Sequence, residues 1–373
     1  MGGKFKQFLI AMRRPRSKCG RVFNVFEFSR EKEINMVISV PKEIKEGEYR
    51  VALTPVEVRI LIDKGHQFLI EDEGGRGSGF ENDEYRKVGA DILTNKQVLF
   101  DEAEMIVKVK EPLPEEFNLF HENQILFTYL HLAANENLTC ALLKKKIVAI
   151  AYETVQDNSG KLPLLNPMSE IAGRSSVIIG SFYLSKQSGG AGIFLGGVPG
   201  VAPGHVLILG GGIVGTNATK IAAGLGAQVA VMDINVNRMR YLDDILPENV
   251  TTVYSNTYNI QKALFSTDLL IGAVLIPGAK APQLVTRDML SSMRESSVVV
   301  DVAVDQGGCI QTARPTTHAH PTYKVEGILH YCVPNVPALY PRTSTVALTN
   351  VTFPYILMIA ELGYRKALKK ILV

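Results

Sequence analysis

At 373 residues, 46% hydrophobic and 21% charged, the chain has the length for two globular domains and an ordinary composition for them. Its net charge of +3 misleads, because residues 1–35 carry nine Lys/Arg against three Glu and the remainder is mildly acidic, which speaks against nucleic acid and anionic membrane as partners. Four cysteines (Cys19, Cys140, Cys309, Cys332) are widely spaced with no CxxC pair, so neither a disulfide framework nor a metal site is expected, and a reducing, cytoplasmic setting is.

No apolar run approaches the ~18–20 residues that span a bilayer, so a soluble protein without a membrane partner is expected. Residues 1–35 read as a poorly structured extension whose apolar stretch is too short for a secretory signal. From Met36 the chain alternates short apolar strands with helices. Residues 37–40 form a buried strand, and Thr54-Pro55-Val56-Glu57 is a capping box with proline at the first helical position, opening a helix that stops at Gly65. Further strands are predicted at 67–71, 105–109, 125–129 and 148–152, with helices near 82–88 and 138–144. A long helix is predicted from Ser169 to about Lys186, followed by a glycine-rich stretch to Gly204. A second block places strands at 205–209, 228–232, 268–272 and 297–304, and a closing helix at 353–372. The β-α-β rhythm predicts an α/β protein of two doubly wound domains with mostly parallel sheets. Residues 36–165 plus 341–373 would form one domain and 166–340 a second, of Rossmann type.

The second block carries the cofactor signal. Gly210-Gly211-Gly212-Ile213-Val214-Gly215 fits GxGxxG between an apolar strand and a helix that runs to about Leu225. Gly210 makes the tight turn, Gly212 admits the pyrophosphate to the backbone, and Gly215 lets helix and strand pack closely. Asp233 ends the next strand, where a carboxylate accepts hydrogen bonds from the adenosine ribose and repels a 2′-phosphate. The cofactor is therefore NAD rather than NADP.

In doubly wound sheets, ligands bind beyond the carboxyl ends of the strands. That rule selects Arg50 after the first strand, Lys110 after 105–109, His131 after 125–129, and Asp305 after 297–304. A cationic pair, a histidine and a carboxylate would meet between the domains. The bland alternatives are solvated charges for Arg50 and Lys110, a structural histidine, and a turn-capping Asp305.

Eleven collinear segments resemble the alanine dehydrogenase family, which is related to the NAD-binding component of proton-translocating transhydrogenase. Among them are PKEIKEGEYRVALTP (41–55), VKVKEP (107–112), QILFTYLHLAA (124–134), GGGIVGTNA (210–218), GAVLIPGAKAP (272–282) and VDVAVDQGGC (301–309). The resemblance implies oxidative deamination of L-alanine to pyruvate and ammonium with NAD, and the reverse. It places Arg50 and Lys110 on the substrate carboxylate and carbonyl, Arg50 as a bidentate fork, and makes His131 and Asp305 the acid/base residues. It adds Ser169, Ser255, Val274, Leu275, Val302 and Asn335 as cofactor contacts. Arg238 stands where relatives carry a basic residue near the ribose, a solvated helix charge being the alternative. A homohexamer is expected on the same ground. Two departures stand out: the extension at 1–35, and an end at Val373 where relatives usually continue. The competing readings are a transhydrogenase subunit, disfavoured by Thr-Val-Gln after Glu153, and a non-catalytic NAD sensor.

Overall fold

The computed structural model describes residues 35–132, 135–274 and 281–371. The expectations for the N-terminal extension and for Leu275 thus lie outside the described residues, apart from Asn35.

Two sheets organise the chain. The first contains β1 (Val37–Val40), β2 (Gln67–Glu71), β3 (Asp91–Leu93), β4 (Met105–Val107), β5 (Ile125–Thr128) and β6 (Val148–Ala151). Its order is β3-β2-β1-β4-β5-β6, and every neighbouring pair is parallel. The second contains β7 (His205–Leu209), β8 (Gln228–Asp233), β9 (Val250–Tyr254), β10 (Leu269–Gly272), β11 (Val298–Asp301), β12 (Thr322–Val325) and β13 (Ile328–Tyr331). Its order is β12-β13-β11-β10-β7-β8-β9, with only β12 antiparallel to its neighbour. Both sheets therefore reverse strand order beside their first strand, between β1 and β4 and between β7 and β10. That is where a doubly wound sheet opens a crevice for ligand.

Local sequence explains several ends. Thr54 and Glu57 form the expected capping box at the helix Pro55–Asp63. Glu326 and Gly327, with φ of 51° and 75°, make the two-residue turn that folds β12 back on β13. Strand β11 stops at Asp301 rather than continuing to 304, because the Asp301 carboxylate captures backbone N–H groups and turns the chain into the 3-10 segment Val304–Gln306. Strands β4 and β5 likewise end at Val107 and Thr128, short of 109 and 129.

Two helices depart from expectation. One begins at Asn166, three residues before Ser169, with Pro167 in its first turn, and runs to Leu184. The closing helix is Pro341–Leu362 with Pro354 inside it; Gly363 (φ 71°) breaks it before Tyr364–Ile371. By length and composition Pro341–Leu362 is apolar enough to cross a membrane, which the sequence reading did not foresee. Its Leu348, Ile356, Ile359 and Ala360 instead join Ile38, Val40, Leu61 and Phe127 in the core on the first sheet. Burying that face contributes about 1.5–3 kcal/mol per large apolar side chain.

Candidate active site

Arg50, Lys110 and His131 project from the loops after β1, β4 and β5, three neighbouring strands at the switch point of the first sheet. Asp305 lies in Val304–Gln306, past β11 of the second sheet. Arg50, Lys110 and His131 are each braced by a separate carboxylate that accepts their backbone N–H.

Glu48 holds Arg50. It accepts the Arg50 backbone N–H (3.1 Å), Nε (2.6 Å) and Nη2 (2.5 Å), and both side chains are buried. Asn335, in a left-handed backbone conformation (φ 62°), closes the triangle: Arg50 Nη2 donates to its Oδ1 (2.9 Å), and its Nδ2 donates to Glu48 Oε2 (3.0 Å). Arg50 Nη1 meets only the Met168 thioether sulfur (3.0 Å) among the described residues. Burial pushes the Glu48 carboxyl up, but the hydrogen bonds and charge of Arg50 overcome it and hold the group at about 2.

Glu43 holds the next loop, accepting from the N–H groups of Val109 (2.7 Å) and Lys110 (3.3 Å). Lys108 and Lys110, two positions apart, have opposite fates. Lys108 is fully buried between Glu43 (3.2 Å) and Glu116 (3.1 Å). Lys110 has no ion-pair partner among the described residues. Burial lowers its pKa and the charge of Arg50 lowers it further, against Glu111 and Glu48.

Glu153 holds His131, whose backbone φ is 49°. It accepts from the N–H groups of Leu130 (3.1 Å) and His131 (2.6 Å). The imidazole lies parallel to the Tyr129 ring, 11° off plane, with centroids 6.0 Å apart. It is open to solvent on one side, yet enough protein surrounds it that desolvation leads the lowering of its pKa; Lys110 adds to the lowering, while Glu153, Glu111 and Asp305 oppose it. The imidazole thus senses Lys110 from the first sheet and Asp305 from the second. Arg50 and Lys110 sense each other as well, so all four residues selected from strand ends belong to one electrostatic unit.

The glycine loop follows β7, at the switch point of the second sheet. Gly210 has φ of 100°, and a Cβ there would lie 2.8 Å from Ala273 O. At Gly215 a Cβ would lie 1.7 Å from Gly210 O, so helix Ile213–Gly224 approaches the turn as only glycine permits. A Cβ on Gly212 would meet nothing within 4 Å. That open space beside a helix N-terminus, where N–H groups lack intrahelical partners, suits a pyrophosphate. Asp233 accepts from Gly211 N–H (2.8 Å) and Asn235 N–H (2.8 Å), and Ser255 N–H donates to its carbonyl (3.0 Å). Its carboxylate retains lone pairs for a ribose. The residues present fit NAD.

Arg238 is tied to this loop: its Nε donates to Gly211 O (2.6 Å) and its Nη2 to Thr216 Oγ1 (2.7 Å). Val274 lies against Gly210, where a Cβ would come 3.1 Å from Val274 Cγ2. Val302 follows Asp301 and donates its N–H to Gly272 O (2.9 Å), and Ser169 lies in the first turn of Asn166–Leu184, next to Met168. Asn335, expected at the cofactor, has its side chain engaged with Arg50 and Glu48. Sequence reasoning does not reach the four carboxylates Glu43, Glu48, Glu153 and Asp301. Asp301 was hidden inside the strand expected over 297–304, which the structure ends at Asp301. Among the described residues no group of three or more His, Cys, Asp or Glu side chains is placed to hold a metal.

Comparison with known proteins identifies the family. The family model described as alanine dehydrogenase/PNT, N-terminal domain, matches residues 39–172, and its C-terminal counterpart matches 176–372. An alanine dehydrogenase of Methanococcus maripaludis is 58% identical, with 89% of each chain covered. That of Bacillus subtilis is 56% identical, over 89% of this chain and 88% of its own. A solved L-alanine dehydrogenase superposes with a TM-score of 0.87 at 52% identity, covering 90% of this chain and 92% of its own. A transhydrogenase from Sinorhizobium meliloti shares the fold, with a TM-score of 0.77 at 23% identity over 87% of this chain and 95% of its own. With both family models matched in order along one chain and relatives above half identity over most of it, the chain belongs to the alanine dehydrogenase/PNT family.

Proposed function

We propose that this chain is an NAD-dependent alanine dehydrogenase, converting L-alanine and water to pyruvate and ammonium, and the reverse. The observation that carries the reading is the likeness to alanine dehydrogenases above half identity over most of the chain, with Arg50, Lys110 and His131 on the loops after three neighbouring strands. Bound NAD supplies the hydride acceptor at Cα. Gly210, Gly212, Gly215 and Asp233 would hold it, with Arg238, Ser169, Ser255, Val274, Val302 and Asn335 around it.

The chain's own groups then divide the work. Glu48 occupies the Nε–Nη2 edge of Arg50, and Asn335 takes the remaining Nη2 hydrogen. The substrate carboxylate therefore meets Nη1 first, where only a weakly accepting thioether competes. A two-pronged grip, as the fork alone would suggest, requires Asn335 to release Nη2. Lys110 supplies the net positive charge, since Arg50 is neutralised by Glu48, and its lowered pKa suits it to share a proton with the carbonyl oxygen. After hydride loss the substrate is an imine; His131 takes a proton from the attacking water and returns it as ammonia leaves. Asp305 acts on the amine proton from the opposite wall.

The enzyme works on small molecules, and we place it in the cytoplasm as a soluble homohexamer. The transhydrogenase reading rests on fold alone. An assay of NADH consumption tests the proposal: pyruvate plus ammonium should support turnover, and omission of ammonium or replacement by NADPH should remove it. Equal rates without ammonium would mean simple keto-acid reduction, and no NADH consumption would overturn the reading.

A further inference from the structure

We infer that Asp301 is a positioning residue for Asp305, tying both ends of the loop that presents it. The inference rests on the reading of Asp305 as part of the proton-handling machinery. Asp301 is the last residue of β11 and is 1% exposed. Its Oδ1 accepts from Ala303 N–H (3.0 Å), and its Oδ2 accepts from Cys309 N–H (2.9 Å) and Ile310 N–H (3.3 Å). Asp305 lies inside the span these bonds close.

Three observations separate this from an ordinary strand-end cap. First, Asp301 has no ion-pair partner among the described residues, and a buried carboxylate without a cation is costly. Burial pushes its pKa up to about 6 despite the three backbone donors, with the charge of Asp305 contributing in the same direction. Second, the loop is shaped around the carboxylate. Gly307 and Gly308 have φ of 93° and 71°, and a Cβ on Gly308 would lie 2.8 Å from Asp301 Oδ2. Third, the neighbouring strand yields as well: a Cβ on Gly272 of β10 would lie 2.9 Å from Asp301 Oδ1. Backbone on two sides is thus cut back to admit an unpaired charge whose hydrogen bonds all go to one loop. Asp305 is thereby held at a fixed distance from the strand end by bonds to the loop backbone.

The test uses Asp301→Asn in the full chain, which keeps shape but turns one acceptor into a donor facing an N–H. Expected are a fall in kcat of about 10–100-fold, as for a misplaced catalytic group, with the pyruvate KM and the NADH Kd changed less than about threefold. Amide exchange should accelerate at 303–310 and nowhere else. The double variant Asp301→Asn/Asp305→Asn should be no slower than Asp305→Asn, assayed at enzyme concentrations where residual turnover is quantified. A double variant slower by the full Asp301→Asn factor, or wild-type kcat in Asp301→Asn, overturns the inference. Wild-type turnover in Asp305→Asn would instead sink the reading of Asp305, while the exchange data still report whether Asp301 holds the loop. Should Asp301→Asn fail to fold, Gly308→Ala presses on the same oxygen and must reproduce the loss of kcat; unchanged kcat there also overturns the inference.

Discussion

Replacing Glu48 by Gln tests the electrostatic frame of the site, because Gln copies the shape of a protonated Glu48. The carboxyl sits at about 2 in the folded chain against an ordinary 4.5. That displacement corresponds to roughly 3 kcal/mol of preference for the charged form. Leaving a buried guanidinium without its partner costs about 3–5 kcal/mol in comparable pairs, so two routes agree on the scale. The sign follows from the depressed folded pKa. The contribution is fully present above the unfolded value near 4.5, and is lost as pH falls toward about 2. Urea unfolding of wild type and Glu48→Gln, followed by circular dichroism, should show a gap of about 3 kcal/mol at pH 7 and pH 5.5, roughly halved at pH 3. Other carboxylates titrate in both proteins and cancel. A gap below about 1 kcal/mol at pH 7, or one that stays constant down to pH 3, would refute the reasoning.

Further outcomes follow from the same geometry. His131→Ala should reduce turnover by about 10²–10⁴-fold with NADH binding retained by fluorescence titration; in wild type, the imidazole's lowered pKa should keep the base-dependent step active below pH 6.5, the ordinary histidine value, and a normal rate in the variant removes the imidazole from the chemistry. Asp233→Ala should narrow the preference for NADH over NADPH, read as a ratio of kcat/KM values, and an unchanged ratio means the ribose is recognised elsewhere. Gly215→Ala, whose Cβ would stand 1.7 Å from Gly210 O, should abolish NADH binding or folding, and wild-type affinity would contradict the observed helix approach.

Much of the fold was legible because its signals are local. Strand β1, the capping box at Thr54 and the glycine loop each occupy a few consecutive residues. Arg50, Lys110, His131 and Asp305 came from strand ends alone, since a parallel sheet exposes the residues after its strands to one crevice. Other features lacked that locality. Strand β3 is three residues long, below what periodicity resolves. The strands on either side of the Glu326-Gly327 turn are four residues each, too short for alternation to mark them. The helix Pro341–Leu362 contains Thr345, Thr349, Thr352 and Pro354, poor helix formers that packing on the first sheet overrides. The contacts made by Glu43 and Asn335 were out of reach for another reason. Glu43 and Lys110 are 67 positions apart, and Asn335 and Arg50 are 285 apart, so nothing near either partner announces the other.

The pairing of Arg50 with Glu48 poses a question for any site that must bind an anion: why neutralise the guanidinium in advance? Burial supplies the answer. An unpaired charge at that depth would be expelled or would repel Lys110, whose own pKa Arg50 already lowers. Locked to Glu48, Arg50 contributes direction while Glu48 offsets part of its field: a planar group whose remaining N–H donors point one way. Net charge then falls to Lys110, which lacks an ion-pair partner among the described residues and, with its lowered pKa, can give up a proton where an oxygen gains charge. Lysine at position 50 could not take that role, because a rotating ammonium cannot satisfy Glu48 along a fixed edge and still present a directed donor. In the proposed reaction, separating orientation from charge would let one cleft grip a carboxylate and move protons beside it.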